Sequence, residues 1–415
     1  MGGAILVNES MGINVPQNLE NLSLLHANQE LKAPGNEKYW LKVSKFFPRP
    51  KDFTQFEHGY FSHQPFRTLE FHQKFQQSIN RTTSEFMRIH QESEIELARK
   101  GLANFLGVQA EELVITRNTT ESLNIVIMGF PWNSGDEVVI GNQDYGSMVE
   151  AFQQAANRFG IVVKVASVPL LPKSDDEIIQ AYASLITPRT KMLHLTHTIN
   201  LTGQVIPVNL IVDRCKTINQ NIAIAVDAAH STAHTIEKIG SLNADFIGGS
   251  LHKWLCTPLG LGYLKMNSNY IHQIWPLFGD TGIAKNNIRR FEHQGTRPIH
   301  AIQSIQPAIE FHEQIGSEAK LNRLQYLKET ILEAVDGKNG INCISPWRDK
   351  TRGGAVFCIQ KKGYSPADFA KHLMQKFRIF TVGIDHPVVK GVRITPHLSN
   401  TKEDIQLLIQ ALLEK

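Results

Sequence analysis

The sequence contains few cysteines, and their spacing matches no disulfide or zinc motif. Only four occur in 415 residues, and no two form a CxxC pair. A disulfide-stabilised secreted domain and a cysteine-based zinc site are therefore excluded as interpretations, and a reduced, cytoplasmic setting is expected. The four are Cys215, Cys256, Cys343 and Cys358.

Long apolar runs and blocks of one charge are also missing. No run approaches the roughly 18 apolar residues of a membrane helix, and the short apolar stretch Ala4–Val7 is no signal peptide. The net charge is +4, from 43 basic and 39 acidic residues, so we expect neither a nucleic-acid nor a membrane partner. The remaining composition is 42% hydrophobic and 20% charged, as in ordinary globular proteins.

The length and the pattern along the chain predict two domains. Residues 1–35 are polar and Asn-rich, and we expect them to form an N-terminal arm. Residues 36–315 alternate helical and strand-like patterns, which predicts a large α/β domain, although residues 36–70 could pack with the smaller domain instead. Residues 316–415 contain long helical patterns with few strands and predict a small α+β domain.

Seven short apolar runs predict the strands of the large domain. Because helical segments separate most of them, they should form a mostly parallel sheet with helices on both faces. Ligands of such sheets bind at the carboxyl ends of the strands. The runs are Leu113–Thr116, Glu137–Gly141, Ile161–Ala166, Lys191–Thr196, Ile222–Asp227, Phe246–Gly248 and Leu261–Met266.

Two of these strand ends carry residues of chemical interest. Asp227 ends one apolar run, and Lys253 follows the next run along the chain. A lysine amine can form a Schiff base with an aldehyde cofactor, and a nearby carboxylate can keep a pyridine nitrogen protonated. Taken singly, an aspartate after a strand is usually a cap or turn residue, and a lysine is usually solvated.

A polar turn between a strand and an amphipathic helix is a third candidate. Residues 116–124 read TRNTTESLN, and hydroxyls with free N–H groups at a helix N-terminus can bind an anion. The alternative is a plain threonine N-cap with Glu121 and Ser122 in the first turn.

In combination, the motifs resemble the class V aminotransferase family, the group that contains cysteine desulfurases and isopenicillin-N epimerase-like proteins. The resemblance runs from about residue 55 to the C-terminus and implies an enzyme that uses pyridoxal 5'-phosphate (PLP), a fold of type I, and a homodimer with shared active sites. The motifs are residues 116–124, 226–230 (VDAAH), 250–254 (SLHKW), 258–262 (PLGLG) and 293–297 (HQGTR).

The resemblance assigns three catalytic roles. Lys253 would carry the cofactor and move protons at the substrate Cα, as a lysine of lowered pKa can. Asp227 would pair with the pyridine nitrogen, where we expect its pKa to be low. His230 would face the ring oxygen of the cofactor.

The resemblance also implies a set of binding residues. The cofactor phosphate would be held by Thr119, Thr120, Ser250 and His252, with Thr296 reaching the phosphate of the partner subunit. Tyr145 would stack on the cofactor ring where desulfurases usually have an imidazole, although it could be an ordinary half-buried tyrosine. Asn200 would contact the ring hydroxyl. Arg393 would bind the substrate α-carboxylate, for which its planar fork is suited.

One departure bears on the reaction. Cysteine desulfurases have a nucleophilic cysteine shortly before that arginine, whereas residues 383–390 contain none. Without a thiolate, sulfur transfer lacks its nucleophile. We therefore expect epimerase-like or aminotransferase-like chemistry at Cα, with a C–S lyase or desulfurase-like enzyme as the alternative.

Two rival classes remain. The histidine pairs His194/His197 and His230/His234 suggest a metallohydrolase, but there is no HExxH motif, and no metal is expected. A non-catalytic binding protein that kept the PLP-enzyme fold is the second rival. It is disfavoured by the presence of Lys253, Asp227 and Arg393.

Overall fold

The computed structural model describes Leu25, residues 30–279 and residues 282–414. The predicted N-terminal arm, residues 1–35, therefore lies outside the described residues except for Leu25 and residues 30–35. Within the described ranges, no helix is both long and apolar enough to cross a membrane.

Strands and helices alternate through most of the described chain. The strands are β1 Thr54–Gln55, β2 Leu113–Thr116, β3 Glu137–Gly141, β4 Val162–Ala166, β5 Thr190–Thr196, β6 Ala223–Asp227, β7 Phe246–Ser250, β8 Gly262–Met266, β9 Ile341–Cys343, β10 Phe357–Lys361, β11 Ile379–Phe380, β12 Val382–Asp385 and β13 Lys390–Ile394. The α-helices are α1 Glu37–Ser44, α2 Phe66–Thr82, α3 Ser84–Ile89, α4 Gln91–Leu106, α5 Thr119–Gly129, α6 Gly146–Phe159, α7 Asp175–Ala183, α8 Val208–Ile218, α9 Ser268–Ile271, α10 Ile299–Gln303, α11 Ile305–Ile315, α12 Ser317–Val335, α13 Pro366–Phe377 and α14 Lys402–Leu413.

Among the described residues, seven strands form a large sheet in the order β2-β8-β7-β6-β5-β3-β4. Strand β8 runs antiparallel to both of its neighbours, and the other pairs are parallel. The predicted mostly parallel sheet is therefore confirmed. Its parallel strands place their carboxyl ends at one edge.

Both faces of this sheet are covered because its strands are apolar at successive positions. Ile224 and Val226 of β6 belong to one apolar cluster, whereas Ala223 and Ala225 belong to another. Side chains alternate between the faces of a strand, so the two clusters lie on opposite faces. Burying each larger aliphatic side chain stabilises the fold by roughly 1.5–3 kcal/mol.

A second, four-stranded sheet of the described chain has the order β12-β13-β10-β9 and is antiparallel. It packs with residues of α12, α13 and α14 in a separate apolar cluster. Strand β1 pairs with β11, which directly precedes β12 in the chain. Residues 54–55 therefore lie beside the C-terminal region. The domain boundaries drawn from the sequence at residues 35, 70 and 315 stay predictions.

Candidate active site

The predicted site residues follow strands that end at one edge of the large sheet. Asp227 is the last residue of β6, and Ser250 is the last residue of β7. Thr119 begins α5 three positions after β2 ends, and Asn200 and Tyr145 follow β5 and β3. The fold therefore brings chemical groups from five strand ends to the edge where ligands of such sheets bind.

Lys253 contacts His230 across the ends of β6 and β7. Its Nζ atom lies 3.0 Å from Nε2 of His230. Burial lowers the pKa of Lys253 to about 8, and the Arg393 charge contributes in the same direction, whereas Asp227 and Glu57 oppose it. A substantial fraction of this amine is therefore neutral near physiological pH, as an amine nucleophile or a proton acceptor requires.

Trp254 fixes the tautomer of His230. The indole Nε1–H of Trp254 points to Nδ1 of His230 at 3.3 Å, and an indole N–H can only donate. Burial, reinforced by nearby positive charges, holds the pKa of His230 well below its usual range. The ring is thus neutral, with its proton on Nε2, where it can donate to the neutral amine form of Lys253 or to a bound oxygen.

Asp227 is buried, and the charges of the His194–Asp144 pair act on it. One of its oxygens accepts the N–H of Ala229 at 2.9 Å. Burial raises the pKa of Asp227, while this N–H, His194 and Lys253 counteract the rise. Although burial alone would lower the pKa of His194, the Asp144 carboxylate, 2.8 Å from its Nδ1, raises it. A cationic ring nitrogen beside Asp227 would favour the carboxylate form further.

A polar pocket lies between the start of α5 and the end of β7. The Ser250 hydroxyl lies 2.8 Å from the Thr119 hydroxyl and accepts the Thr119 N–H at 3.1 Å. Gly262 pairs with Ser250 in the sheet, and a Cβ there would lie 2.6 Å from Cα of Asn118. Glycine therefore lets the Asn118 turn approach the sheet closely enough for α5 to direct its N-terminus at this pocket.

Arg393 reaches the same edge from the small sheet. It donates from Nη1 to the backbone oxygen of Asn200 at 3.1 Å. It is also paired with Glu57, through Nη2 to Oε1 at 2.5 Å and Nε to Oε2 at 3.2 Å. The side-chain Oδ1 of Asn200 is buried without a hydrogen-bond partner in the described chain, so it is available to a ligand.

The remaining predicted residues lie at the periphery of this cluster. Thr120 is half-buried in the first turn of α5, and the His252 ring contacts the Leu261 oxygen at 3.3 Å. Tyr145 precedes α6 with 42% of its surface exposed. Its stacking role stays a prediction, as do the roles assigned to all the other site residues.

Thr296 is exposed on a loop that is anchored by buried charges. The neighbouring Arg297 donates to Glu292 at 3.1 Å and to the Ile115 oxygen at 2.7 Å. Glu292 also receives two hydrogen bonds from Arg99, at 2.6 and 2.8 Å. Arg297 therefore acts as a structural anchor that holds Thr296 outward.

The histidine pairs considered as metal ligands are used in other ways. His234 contacts the His230 oxygen through Nδ1 and accepts the Ala355 N–H at Nε2, so both ring nitrogens are occupied. His194 pairs with Asp144 through its Nδ1. No group of three histidine, cysteine or acidic side chains suited to a metal occurs in the described ranges.

The assembled groups fit a phosphorylated pyridine aldehyde such as PLP. Lys253 supplies an amine for the aldehyde, and Asp227 supplies a carboxylate for the pyridine nitrogen. Thr119 and Ser250 supply hydroxyls beside a helix N-terminus for the phosphate. The unpartnered oxygen of Asn200 and the Nε2–H of His230 remain for the ring hydroxyl.

Comparisons with known proteins agree with this fit. The family model described as Aminotransferase class-V matches residues 62–408. Isopenicillin N epimerase from Amycolatopsis lactamdurans is 26% identical over 76% of this chain and 84% of its own length. A probable cysteine desulfurase from Vibrio cholerae serotype O1 is 24% identical over 77% of this chain and 82% of its own length.

Solved structures show the same fold. The cystine C-S lyase C-DES, in complex with its product cysteine persulfide, superposes with a TM-score of 0.79 at 22% identity, covering 88% of this chain and 98% of that chain. Apo cysteine desulfurase from Thermococcus onnurineus NA1 gives a TM-score of 0.78 at 22% identity, covering 90% and 97%.

The fold and the site together define a PLP enzyme of fold type I, which confirms the fold class, the enzyme class and the cofactor expected from the sequence. More narrowly, the chain belongs to the aminotransferase class-V family.

Two contacts of this site were missed by the sequence analysis. Glu57 pairs with Arg393 although 336 positions separate them, and no local pattern indicates such a pair. Trp254 was part of a recognised motif but had no role assigned. No local pattern indicates its contact with His230 either, because 24 positions separate the two residues.

Proposed function

We propose that this enzyme acts at the α-carbon of an amino acid by moving the Cα proton, in the manner of an epimerase or aminotransferase. The observation that carries the proposal is the 3.0 Å contact between Lys253 and the neutral ring of His230. A lysine of lowered pKa can accept and return a proton near neutral pH.

Each residue would contribute a separate part of this chemistry. Bound PLP supplies an electron-withdrawing ring that weakens the bonds at Cα. Asp227 would hold the ring nitrogen protonated, and Thr119 with Ser250 would bind the phosphate. Arg393 would bind the α-carboxylate, and so orient the Cα–H bond relative to Lys253.

The state of the thiols speaks for this chemistry over sulfur transfer. Residues 383–390 lie in the β12–β13 hairpin, which is closed by a hydrogen bond from the His386 N–H to the Val389 oxygen at 2.9 Å, and contain no cysteine. All four cysteines are buried, and burial raises the pKa of Cys256, the thiol nearest Lys253 in sequence, to about 11. A protonated, buried thiol is a poor acceptor of sulfur.

We further propose that the enzyme is a homodimer in which Thr296 approaches the cofactor phosphate of the partner subunit. Thr296 is exposed in the single chain although its loop is firmly anchored, which is what a contact across an interface requires. Phe278, which lines a cavity together with Gln294 of the same loop, is 47% exposed. Analytical ultracentrifugation tests this proposal, and a monomeric holoenzyme with normal cofactor affinity would contradict it.

The experiment for the reaction follows deuterium exchange. The protein is loaded with PLP, its absorbance is recorded with a panel of L- and D-amino acids, and solvent deuterium at Cα is measured by mass spectrometry. We expect exchange with one or a few amino acids in the wild type and none in Lys253→Ala. Lys328→Ala is the matched control, because Lys328 is another buried lysine whose pKa falls to about 8.

The outcomes separate the alternatives. Release of pyruvate and a thiol from an S-substituted amino acid would assign a C–S lyase instead. A cofactor adduct that borohydride still fixes in Lys253→Ala would remove Lys253 from its role. Absence of any cofactor absorbance after incubation with PLP would leave only the fold.

A further inference from the structure

Glu57 and Arg393 form a buried charge pair at the proposed carboxylate site. We propose that Glu57 is a positioning residue that holds the Arg393 guanidinium by its Nε/Nη2 edge, leaving N–H groups on both terminal nitrogens for the substrate carboxylate. This inference rests on the proposed function and names a residue on which amino-acid recognition depends.

The donors of Arg393 can be counted. A guanidinium has five N–H groups, one on Nε and two on each terminal nitrogen. Glu57 accepts one from Nε and one from Nη2, and the Asn200 oxygen accepts one from Nη1. One N–H group on Nη1 and one on Nη2 therefore remain, and these two nitrogens together can bind a carboxylate in a bidentate manner.

Glu57 is itself fixed by the backbone. The Tyr60 N–H donates to its Oε1 at 3.0 Å. Its own position forms a parallel bridge with Thr395, two residues beyond Arg393, and the Thr395 N–H donates to the Phe56 oxygen at 2.8 Å. A carboxylate that is held this firmly acts as a fixed support for Arg393 and does not behave as a mobile occupant that leaves when substrate arrives.

Gly59 lies against the Arg393 guanidinium. A Cβ on Gly59 would lie 3.4 Å from Cζ of Arg393, so this glycine also bounds the guanidinium. Both Glu57 and Arg393 are buried, and both charges act on the pKa of Lys253, in opposite directions. The pair therefore lies close to the amine where the reaction takes place.

The test compares an amino acid with an amine on the PLP-loaded protein. The probes are L-alanine and ethylamine, which differ by the carboxylate. If another amino acid of the panel binds more tightly, it and its decarboxylated amine replace them. We expect Glu57→Gln to raise the dissociation constant of the amino acid about tenfold or more, because a charge-assisted contact that orients Arg393 is lost. The constant for the amine should stay within about twofold, as expected when the lost contact concerns only the carboxylate.

Two further variants keep the test decisive. Glu57→Gln should have no additional effect in an Arg393→Lys background, because the two residues act as a unit. Glu57→Asp, which retains the negative charge, replaces Glu57→Gln if that variant fails to fold. It should give a smaller loss of amino-acid affinity. Glu37→Gln is the matched control, since Glu37 also accepts two hydrogen bonds from a buried arginine, Arg323, at 2.6 and 2.9 Å. It should leave both constants unchanged.

Three results would overturn the inference. Tighter amino-acid binding in Glu57→Gln would make Glu57 a competitor for Arg393. Unchanged binding would remove it from recognition, and equal losses for the amino acid and the amine would make its role purely structural. A wild type that holds PLP but responds to no amino acid would instead refute the proposed function.

Discussion

Capture of PLP by the cofactor-free protein should depend on pH with a midpoint near 8. Covalent capture requires the neutral amine of Lys253, and burial lowers the pKa of this amine from 10.5 to about 8. Because the amine of Lys253 loses its proton at a lower pH than an exposed lysine does, capture should become fast at a lower pH as well.

The size of the effect follows from the shift. Each pKa unit changes the neutral fraction about tenfold at pH values below both midpoints. At neutral pH, Lys253 should therefore be neutral about 300 times more often than an unperturbed lysine, because its pKa is lowered from 10.5 to about 8. The capture rate should rise by the same factor, because it is proportional to the neutral fraction.

The measurement is the stopped-flow absorbance of PLP mixed with cofactor-free protein between pH 6 and pH 10.5, a range of about two units on either side of the midpoint. Arg393→Ala should move the midpoint upward, because it removes a cation that lowers the pKa and leaves Glu57, which raises it. A rate that still rises log-linearly above pH 10, roughly the midpoint of a free lysine, would refute the argument.

Two substitutions test the supports of the site. Glu292→Gln should reduce the free energy of unfolding, measured in urea titrations, by about 3–5 kcal/mol, because it leaves two buried arginines without a full counter-charge. A loss below about 1 kcal/mol would show that other groups neutralise these arginines. Gly262→Ala should weaken PLP affinity, measured by equilibrium dialysis, by about tenfold or more. The reason is that the added Cβ would displace the Asn118 turn and with it the start of α5. An unchanged affinity would show that this turn does not determine phosphate binding.

Much of the large sheet could be predicted because its strands are short apolar runs bounded by turns. The prediction for Glu137–Gly141 matches β3 in both limits, and that for Leu113–Thr116 matches β2. Others differ by one or two residues at their ends, where the hydrogen-bonded ladder and not the apolar pattern decides the limit. Nothing in the composition of β8 indicates that it runs antiparallel to its neighbours.

Within the site, the local parts could be predicted and the non-local ones could not. Asp227 and His230 share one short motif, and Lys253 lies in a second motif shortly after it along the chain. The family resemblance assigns a role to Arg393, but its pairing with Glu57 depends on the bridge between Glu57 and Thr395, which only the folded chain creates. The tautomer of His230 likewise depends on where the Trp254 indole points.

The Glu57–Arg393 pair has a consequence for the order in which the site is assembled during synthesis. The contact between His230 and Lys253 spans 23 positions in the middle of the chain, whereas the pair between Glu57 and Arg393 spans 336. A nascent chain that has emerged only through α11 already contains the lysine and its histidine but lacks the arginine. The residues proposed to engage the cofactor are thus synthesised before the arginine proposed to bind the amino acid, and we expect a C-terminally truncated product to retain the former without the latter.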